Sequence, residues 1–497
     1  MKKILSLTSK DFLSGITEFP YTTSNGFWSL ANNFNPFSRV GTIQPTTAVT
    51  SLSSGTIVDL IQNFVPNASD LYGIGGGGHF YKIATFYTGT PVVTDLRSGT
   101  LICDSLTPTS LPANGLEIFR TKKGTGNKLY YWSGSTTSSG FIGEWDLSST
   151  YPTGWNDKKF TITNPYSESS IYPTLRINDE IFYGSKYVVS EIYDNSTSAD
   201  PVHLENILDL PKDHTITSLE TDGYYLIISA IIDNANESRI YFWDYKNELD
   251  SWTISYSIKD NINKLKNVGG VIYAVGNGGL YAFNSGTAPT KIRTDIKNSN
   301  NALYNIIEKY NDSLIVASTG GVKTYGKVLP NLTTGVFNPL TTVAKAIIMP
   351  PYITGNPSRL FFSSGTVSLD YLNLLATPTA TEYREMTLQS AVIDLGNSYK
   401  IGRVDVVFVT PLASGQNADT QIILLGGYGG GTEGLDTITF QYPSYTNYGG
   451  VRKCKLTPVS TSGDMITDTV RLQVTTSTGG VGTNAIKRID IYGEETE

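Results

Sequence analysis

An all-β protein, a seven-bladed β-propeller followed by a C-terminal β-sandwich, is the fold this sequence predicts, and three observations predict it. The first is composition. With 16% charged residues, 48 Gly and 31 Tyr in 497 residues, the chain is unlike a disordered one, which is charge-rich and poor in aromatics. It is equally unlike a long helical chain, which draws on Ala, Glu, Lys and Leu. The second is a recurring unit of two short apolar strands around a tight turn. The third is a change of texture after Leu375, where longer alternating strands begin.

The first 45 residues read as an extended N-terminal arm. Lys10 and Asp11 interrupt the apolar stretch that begins at Ile4 and Leu5, so no secretory signal is expected. No run of about 18 apolar residues predicts a membrane span. A soluble protein that bypasses the secretory route is the expectation. Asn25 to Phe37 mixes aromatics with turn formers and shows no clean period. Phe27, Trp28, Phe34, Pro36 and Phe37 are therefore the candidate assembly contacts, packing either on the chain's own propeller or on a neighbouring subunit.

Residues 46–375 carry the repeat. Leu71–Ile74 precedes His79–Ile83, Lys128–Trp132 precedes Phe141–Trp145, and Glu180–Tyr183 precedes Val188–Tyr193. The same pattern recurs at Tyr225–Ile228, Val271–Ala274, Leu314–Ala317 and Arg359–Phe362, each with its following strand. Successive copies, at Tyr72, Tyr130, Phe182, Leu226, Ile272, Ile315 and Phe361, lie 43 to 58 residues apart. A unit of about 40–50 residues made only of strands has the length of a four-stranded propeller blade. Seven copies predict seven blades, with six or eight as the alternatives because the first spacings are irregular. The last copy lacks a fourth strand before the next domain. Thr46–Leu52 alternates as a strand should, and the expectation is that it pairs there and latches the ring.

Residues 376–497 read as a β-sandwich. Ser390–Gly396 leads to a strand at Ile401–Val409, with further strands at Gln421–Leu425, Thr469–Val474 and Ile486–Gly493. This module resembles the jelly-roll, galactose-binding-like accessory domains, which open on a motif like Ile393-Asp394-Leu395-Gly396 and close on a strand like Lys487–Gly493. The loop Tyr442–Gly450 places Tyr442, Tyr445 and Tyr448 among Ser, Asn and Gly, a composition suited to glycan stacking or partner contact.

Motifs for chemistry are weak throughout. Gly73–Gly78 satisfies GxGxxG, but a strand follows it where a dinucleotide site needs a helix, so a hairpin turn is the preferred reading. Gly321–Val328 nearly matches a phosphate-binding loop, yet Val328 stands where Ser or Thr is required. Trp145-Asp146 and Trp243-Asp244 look like WD-type blade ends, with a packing role expected for each Trp and a turn-bonding role for each Asp. The carboxylates Glu144/Asp146, Glu191/Asp194, Glu248/Asp250 and Asp370 lie in no recognisable catalytic setting, although glycoside hydrolysis needs two that converge. Asp233–Glu237 has the oxygen ligands of a calcium loop, with a solvated hairpin tip preferred. His79, His203 and His214 fit no zinc spacing, and Cys103 and Cys454 lie too far apart in sequence to suggest more than two separate thiols. No cofactor and no metal are expected, and no catalytic residue is assigned. A net charge of −7 offers no basic face for nucleic acid.

A binding and assembly role is the functional expectation. The segment Asn33–Phe37, with Val40-Gly41 and Gln44-Pro45, is similar to the opening of uncharacterised propeller proteins found in bacteriophage structural modules. That resemblance implies a tail, neck or spike protein of the virion, assembled in the host cytoplasm and present in several symmetric copies. It implies other virion proteins as partners, with a host-surface glycan or receptor as a further one. The alternative is a propeller glycosidase or lyase, or a carbohydrate-binding protein, acting on surface glycans. Its distinguishing mark is a cluster of carboxylates, Tyr or His at the propeller's central mouth.

Overall fold

In the computed structural model, the described residues are 1–496 without 17–26, 37–42, 44–45, 53–56, 58, 69, 87–88, 98–109, 125, 136–139, 151–152, 164–170, 248–250, 300–303, 327–334, 351–357, 366–367, 375–385, 410–419, 427–435, 442–451, 459–464 and 477–484. Seven four-stranded antiparallel blades follow one another around a ring. They occupy 61–95, 110–162, 174–209, 214–258, 262–293, 307–340 and 344–373. The paired strands that define the sequence repeat are the two middle strands of each blade.

Period-two alternation explains why the blades stack. In the strand Lys128–Ser135 of blade two, Leu129 and Tyr131 join a core shared with blade one, around Tyr72, Ile74 and Phe80. Tyr130 and Trp132 point the other way, into a core with Ile181 and Tyr183 of blade three. The pattern repeats in blade four, where Leu226 and Ile228 pack against blade three and Ile227 against blade five. Successive side chains of a strand face opposite sides of its sheet, so a strand that is apolar on both faces needs a neighbour on each. Only a closed ring supplies both to every blade.

Closure comes from the N-terminus, as the alternation of Thr46–Leu52 predicts. The short strand Thr50–Ser51 pairs antiparallel with Ser368–Asn373 of blade seven, Thr50 opposite Tyr371 and Ser51 opposite Asp370. Leu52 N donates to Leu369 O at 2.9 Å. Ser363 Oγ of blade seven donates to Ile61 O of blade one at 2.9 Å, sealing the join.

The arm reaches its own propeller, one of the two courses expected of it, but packs chiefly into the C-terminal unit, a course not expected. Lys2–Leu7 pairs with Ile486–Glu495 as an edge strand, and Trp28–Asn32 lies between Thr387–Ser390 and, at Asn32 opposite Asn338, the strand Gly335–Leu340 of blade six, so it joins the C-terminal strands to that blade. Between them the helix Ser9–Leu13 starts from a capping box formed by Thr8 and Asp11. Trp28 and Phe34 have no exposed surface and Phe27 keeps 5%. They sit in one core with Val404, Val406, Ile422 and Leu472. Trp28 Nε1 donates to Phe12 O at 3.1 Å, and Phe27 meets the indole edge-on at 4.7 Å. Pro36 is buried as well, and Phe37 lies outside the described residues. As candidate assembly contacts, Phe27, Trp28, Phe34 and Pro36 are therefore corrected: burial within the chain leaves them no surface for a partner.

In the C-terminal unit, Ile393–Phe408 pairs with Lys453–Pro458, Ile466–Thr476 and Ile486–Glu495. The circuit closes through Asp436–Gln441 and Thr420–Gly426. The two strands expected at Ser390–Gly396 and Ile401–Val409 are largely one strand of 16 residues. Its register slips between Asp394 and Tyr399, where Gly396 adopts φ +80°. Glycine absorbs that turn of the backbone without ending the strand. Asp405 and Asp490, both buried, stand opposite one another. Lys453 Nζ at 2.8 Å and Arg403 Nε at 3.1 Å flank Asp405, and Arg488 Nε lies 3.1 Å from Asp490.

Candidate functional site

The inner strands of the blades, Ile61–Asn67, Ser110–Phe119, Thr174–Ile177, His214–Thr221, Ile262–Val268, Ile307–Tyr310 and Ala344–Ile348, surround a central cavity of about 340 Å³. Glu117, Glu220, Lys264, Lys266 and Glu308 line it. How they come to face inward is local. Strand pairing slips at the same place in several inner strands, between Ile61 and Asn63, Ile216 and Ser218, and Ile262 and Lys264. A bulge inserts one residue and re-aims those after it. In blade five the extra residue is Asn263, buried and held by Asn298 O at 2.6 Å and Asn277 Oδ1 at 3.1 Å. Beyond it Leu265 turns into the core between blades four and five, and Lys264 and Lys266 face the channel.

The charges divide into two groups. Around Lys266 stand three glutamates from blades two, four and six. Lys266 Nζ lies 3.5 Å from Glu308 Oε2, and the nearby Glu308 carboxylate holds the ammonium above the usual lysine range. Asn305 Nδ2 donates to Glu308 Oε1 at 2.5 Å. Glu220 accepts the backbone N–H groups of Thr221 at 2.9 Å and Asn267 at 3.1 Å. Burial still raises its carboxyl above the ordinary value, outweighing Lys266 and those donors. Glu117 is pushed up to about 7 by burial, with the Thr174 hydroxyl at 3.4 Å and the charges of Arg176 and Lys266 opposing. Lys264 stands apart. Its ammonium reaches Thr217 O at 3.4 Å, and burial alone lowers it to about 8. Asn305 borders the cavity too, donating from its backbone to Gln62 O of blade one and accepting Ile347 N of blade seven.

The residues singled out from sequence lie elsewhere. Glu144 accepts from Tyr130 Oη at 2.7 Å and Lys128 Nζ at 2.8 Å, between blade strands. Asp146 bonds Ser148 N in a turn, and Trp145 stacks on Trp155 at 4.6 Å, the packing role expected of it. Trp243 is likewise in the core, with Asp244 accepting from Asn247 Nδ2 at 2.6 Å. Glu191 sits in the strand Val188–Tyr193, and Asp194 accepts Lys122 N at 3.2 Å. Asp370 accepts from Ser364 Oγ at 2.9 Å. Glu248, Asp250, Cys103, Tyr442, Tyr445 and Tyr448 lie outside the described residues.

Gly73–Gly78 is a hairpin between Asp70–Gly75 and Phe80–Ala84, as expected. Its glycines admit Asp59, whose Oδ1 would lie 2.0 Å from a Cβ at Gly75. Gly321–Gly326 is a blade strand, so no phosphate loop forms there. At Asp233–Glu237, a hairpin tip, the Asp233 carboxylate is taken by Lys186 Nζ at 2.7 Å and Thr215 Oγ1 at 2.8 Å. His79, His203 and His214 belong to three different blades and pair with Asp95, Tyr183 and Asp213. Cys454 is buried, which pushes its thiol up to about 11. Among the described residues no group of three His, Cys, Asp or Glu is arranged to hold a metal ion. No helix among them is long and apolar enough to cross a membrane.

Sequence reasoning missed Glu117, Glu220, Glu308 and the two lysines. A signal existed for four of them, which follow an apolar residue at the same place in the inner strand: Leu116-Glu117, Leu219-Glu220, Leu265-Lys266 and Ile307-Glu308. Aligning the repeat on its inner strand rather than on its middle strands exposes that column.

No protein-family model matches the chain, and no curated protein matches its sequence. Solved structures that are similar to it are propellers. The computationally designed Ika8 protein is 12% identical with a TM-score of 0.38, covering 65% of this chain and 99% of its own. The β-propeller domain of Cps50 (Swd1) from Myceliophteria thermophila is 10% identical with a TM-score of 0.41, covering 66% and 99%. The Pan2 WD40 domain of Neurospora crassa is 12% identical with a TM-score of 0.38, covering 63% and 89%. At these identities the likeness concerns the fold alone, and the seven blades rest on the strand pairing itself.

Proposed function

We propose that this chain is a structural component of a bacteriophage particle, a tail, neck or spike protein that acts by binding rather than catalysis. The observation that carries the reading is the course of the N-terminal segment. Within about fifty residues it supplies an edge strand to the C-terminal sheet, a strand that joins that sheet to blade six, and the closing strand of the ring. On the way it is tied to three blades. Arg293 Nη2 donates to Ile16 O at 3.1 Å, Thr341 N to Asn33 Oδ1 at 3.2 Å, and Asn35 Nδ2 to Leu374 O at 3.0 Å. A chain that fastens its binding modules together in this way suits a particle component that must hold an orientation under load. Several copies on a symmetric particle then gain avidity from weak individual contacts.

With the arm consumed inside the chain, docking falls to the blade faces and the loops of the C-terminal unit. We read that unit as a jelly-roll-like, galactose-binding-like β-sandwich. The loop carrying Tyr442, Tyr445 and Tyr448 is its candidate contact with a glycan or a virion partner. Mass spectrometry of purified particles tests the proposal: the chain is expected there in a fixed ratio to the capsid protein. Its presence only in cell lysate overturns the reading.

A second reading, a glycan-degrading enzyme, draws on the convergence of Glu117, Glu220 and Glu308 in the channel. Glu117, raised to about 7, has the acidity of a general acid at neutral pH. Depolymerisation of host capsule by the purified chain, lost in Glu117→Gln, favours this reading; no cleavage by the parent protein removes it.

A further inference from the structure

The channel is polarised along its axis. Lys264 and Lys266 lie two residues apart on one strand face, roughly 7 Å by strand geometry, yet only Lys266 has a carboxylate partner. Lys264 meets a backbone carbonyl at 3.4 Å, and no carboxylate among the described residues offsets its charge. The layer around Lys266 is the opposite, with Glu117, Glu220 and Glu308 offering acceptor oxygens into the same space. A ligand that fits both layers carries an anion at one end and hydroxyl donors at the other. A cavity of about 340 Å³ is within the range of small-molecule sites, roughly 300–1,000 Å³.

We propose that the channel binds a small polyhydroxylated carboxylate, a sugar acid of the uronate type, with its carboxylate on Lys264 and its hydroxyls donating to Glu117 and Glu220. A neutral sugar leaves the Lys264 ammonium without an anion, and an amino sugar adds a second cation beside it. Recognition by a buried, otherwise unpaired ammonium is worth more than at the surface, because the ion pair is screened less. The site stands whether the chain is a particle component or an enzyme, since binding needs no turnover.

Binding is pH-dependent. The charged groups facing the site are Glu117 from blade two, Glu220 from blade four, Lys266 beside Lys264, and Glu308 from blade six, with Arg176 of blade three behind Glu117. An ammonium that titrates at about 8 is nearly all charged at about pH 6 and about one-tenth charged at about pH 9. Over the same interval Glu117 loses its proton and the acidic layer gains charge. Both changes weaken carboxylate binding as pH rises.

Isothermal titration of the full chain with D-glucuronate, D-glucose and D-glucosamine tests the proposal. Glucuronate is expected to bind at about pH 6 and at least about tenfold more weakly at about pH 9. Lys264→Met is expected to abolish that binding while melting no lower than the parent protein, and Lys264→Arg to retain it. Equal binding of glucose, a preference for glucosamine, no binding of glucuronate at millimolar concentration, or unchanged binding in Lys264→Met each overturns the proposal.

Discussion

Glu117 and Lys264 show how burial can dominate the chemistry of a side chain. Both would titrate far from neutrality in water, and both are drawn toward it because the channel disfavours their charged forms. The consequence for stability follows by linkage. Glu117 titrates at about 7 in the fold, above its value of 4.5 in the unfolded chain. Its contribution is therefore fully present below 4.5 and lost as pH rises through about 7. Glu117→Gln is expected to leave the melting temperature near that of the parent at about pH 4 and to raise it above the parent at about pH 8. Thermal melts followed across that interval check this; a variant with the parent's pH slope refutes it. Lys264 runs the other way, its cost appearing as pH falls through about 8 from the unfolded value of 10.5.

Among the elements, the two-residue strand Thr50–Ser51 has an effect out of proportion to its length. It is the fourth strand of blade seven and covers an edge that would otherwise expose unpaired backbone groups. Leu52 N donates to Leu369 O at the end of this pairing. Leu52→Pro removes that donor and is expected to destabilise the protein by about 2–3 kcal/mol, measured by chemical denaturation. A loss well under 1 kcal/mol would mean that the ring closes without its latch. Sequence made this element legible because Thr46–Leu52 alternates, and because blade seven visibly lacks a strand. The strands Lys2–Leu7 and Trp28–Asn32 were not legible. Each is short, and the helix and turn formers between them hide the period; only their partners, more than 350 residues away in sequence, make them strands.

On the scale of the whole molecule, the N-terminal segment couples the ring to the C-terminal unit through shared cores and shared sheets. Trp28, Phe27 and Phe34 pack inside the C-terminal core, while Asn33, Asn35 and Thr47 bond to blades six and seven. The full chain is expected to unfold in one calorimetric transition. A chain lacking residues 1–36 is expected to unfold in two, the C-terminal unit melting first because it loses two paired strands and large core side chains. A single transition at the parent temperature in that truncation would show that the segment contributes no coupling.

What the sequence determined by itself is the repeat. Apolar residues on both faces of short strands, spaced 43 to 58 residues apart, require neighbours on either side, and that requirement follows from the period of a strand wherever the chain is placed. What only the tertiary structure decided is where the polar residues of the inner strands go and what the arm does. Glu117, Glu220, Lys264, Lys266 and Glu308 are ordinary strand residues in the linear chain, and they become a site because seven inner strands turn the same edge toward one axis. The aromatics of the arm become core rather than docking surface because the C-terminal sheet offers an edge at each end for the arm to extend. Both outcomes depend on contacts between segments far apart in sequence, which local periodicity does not encode.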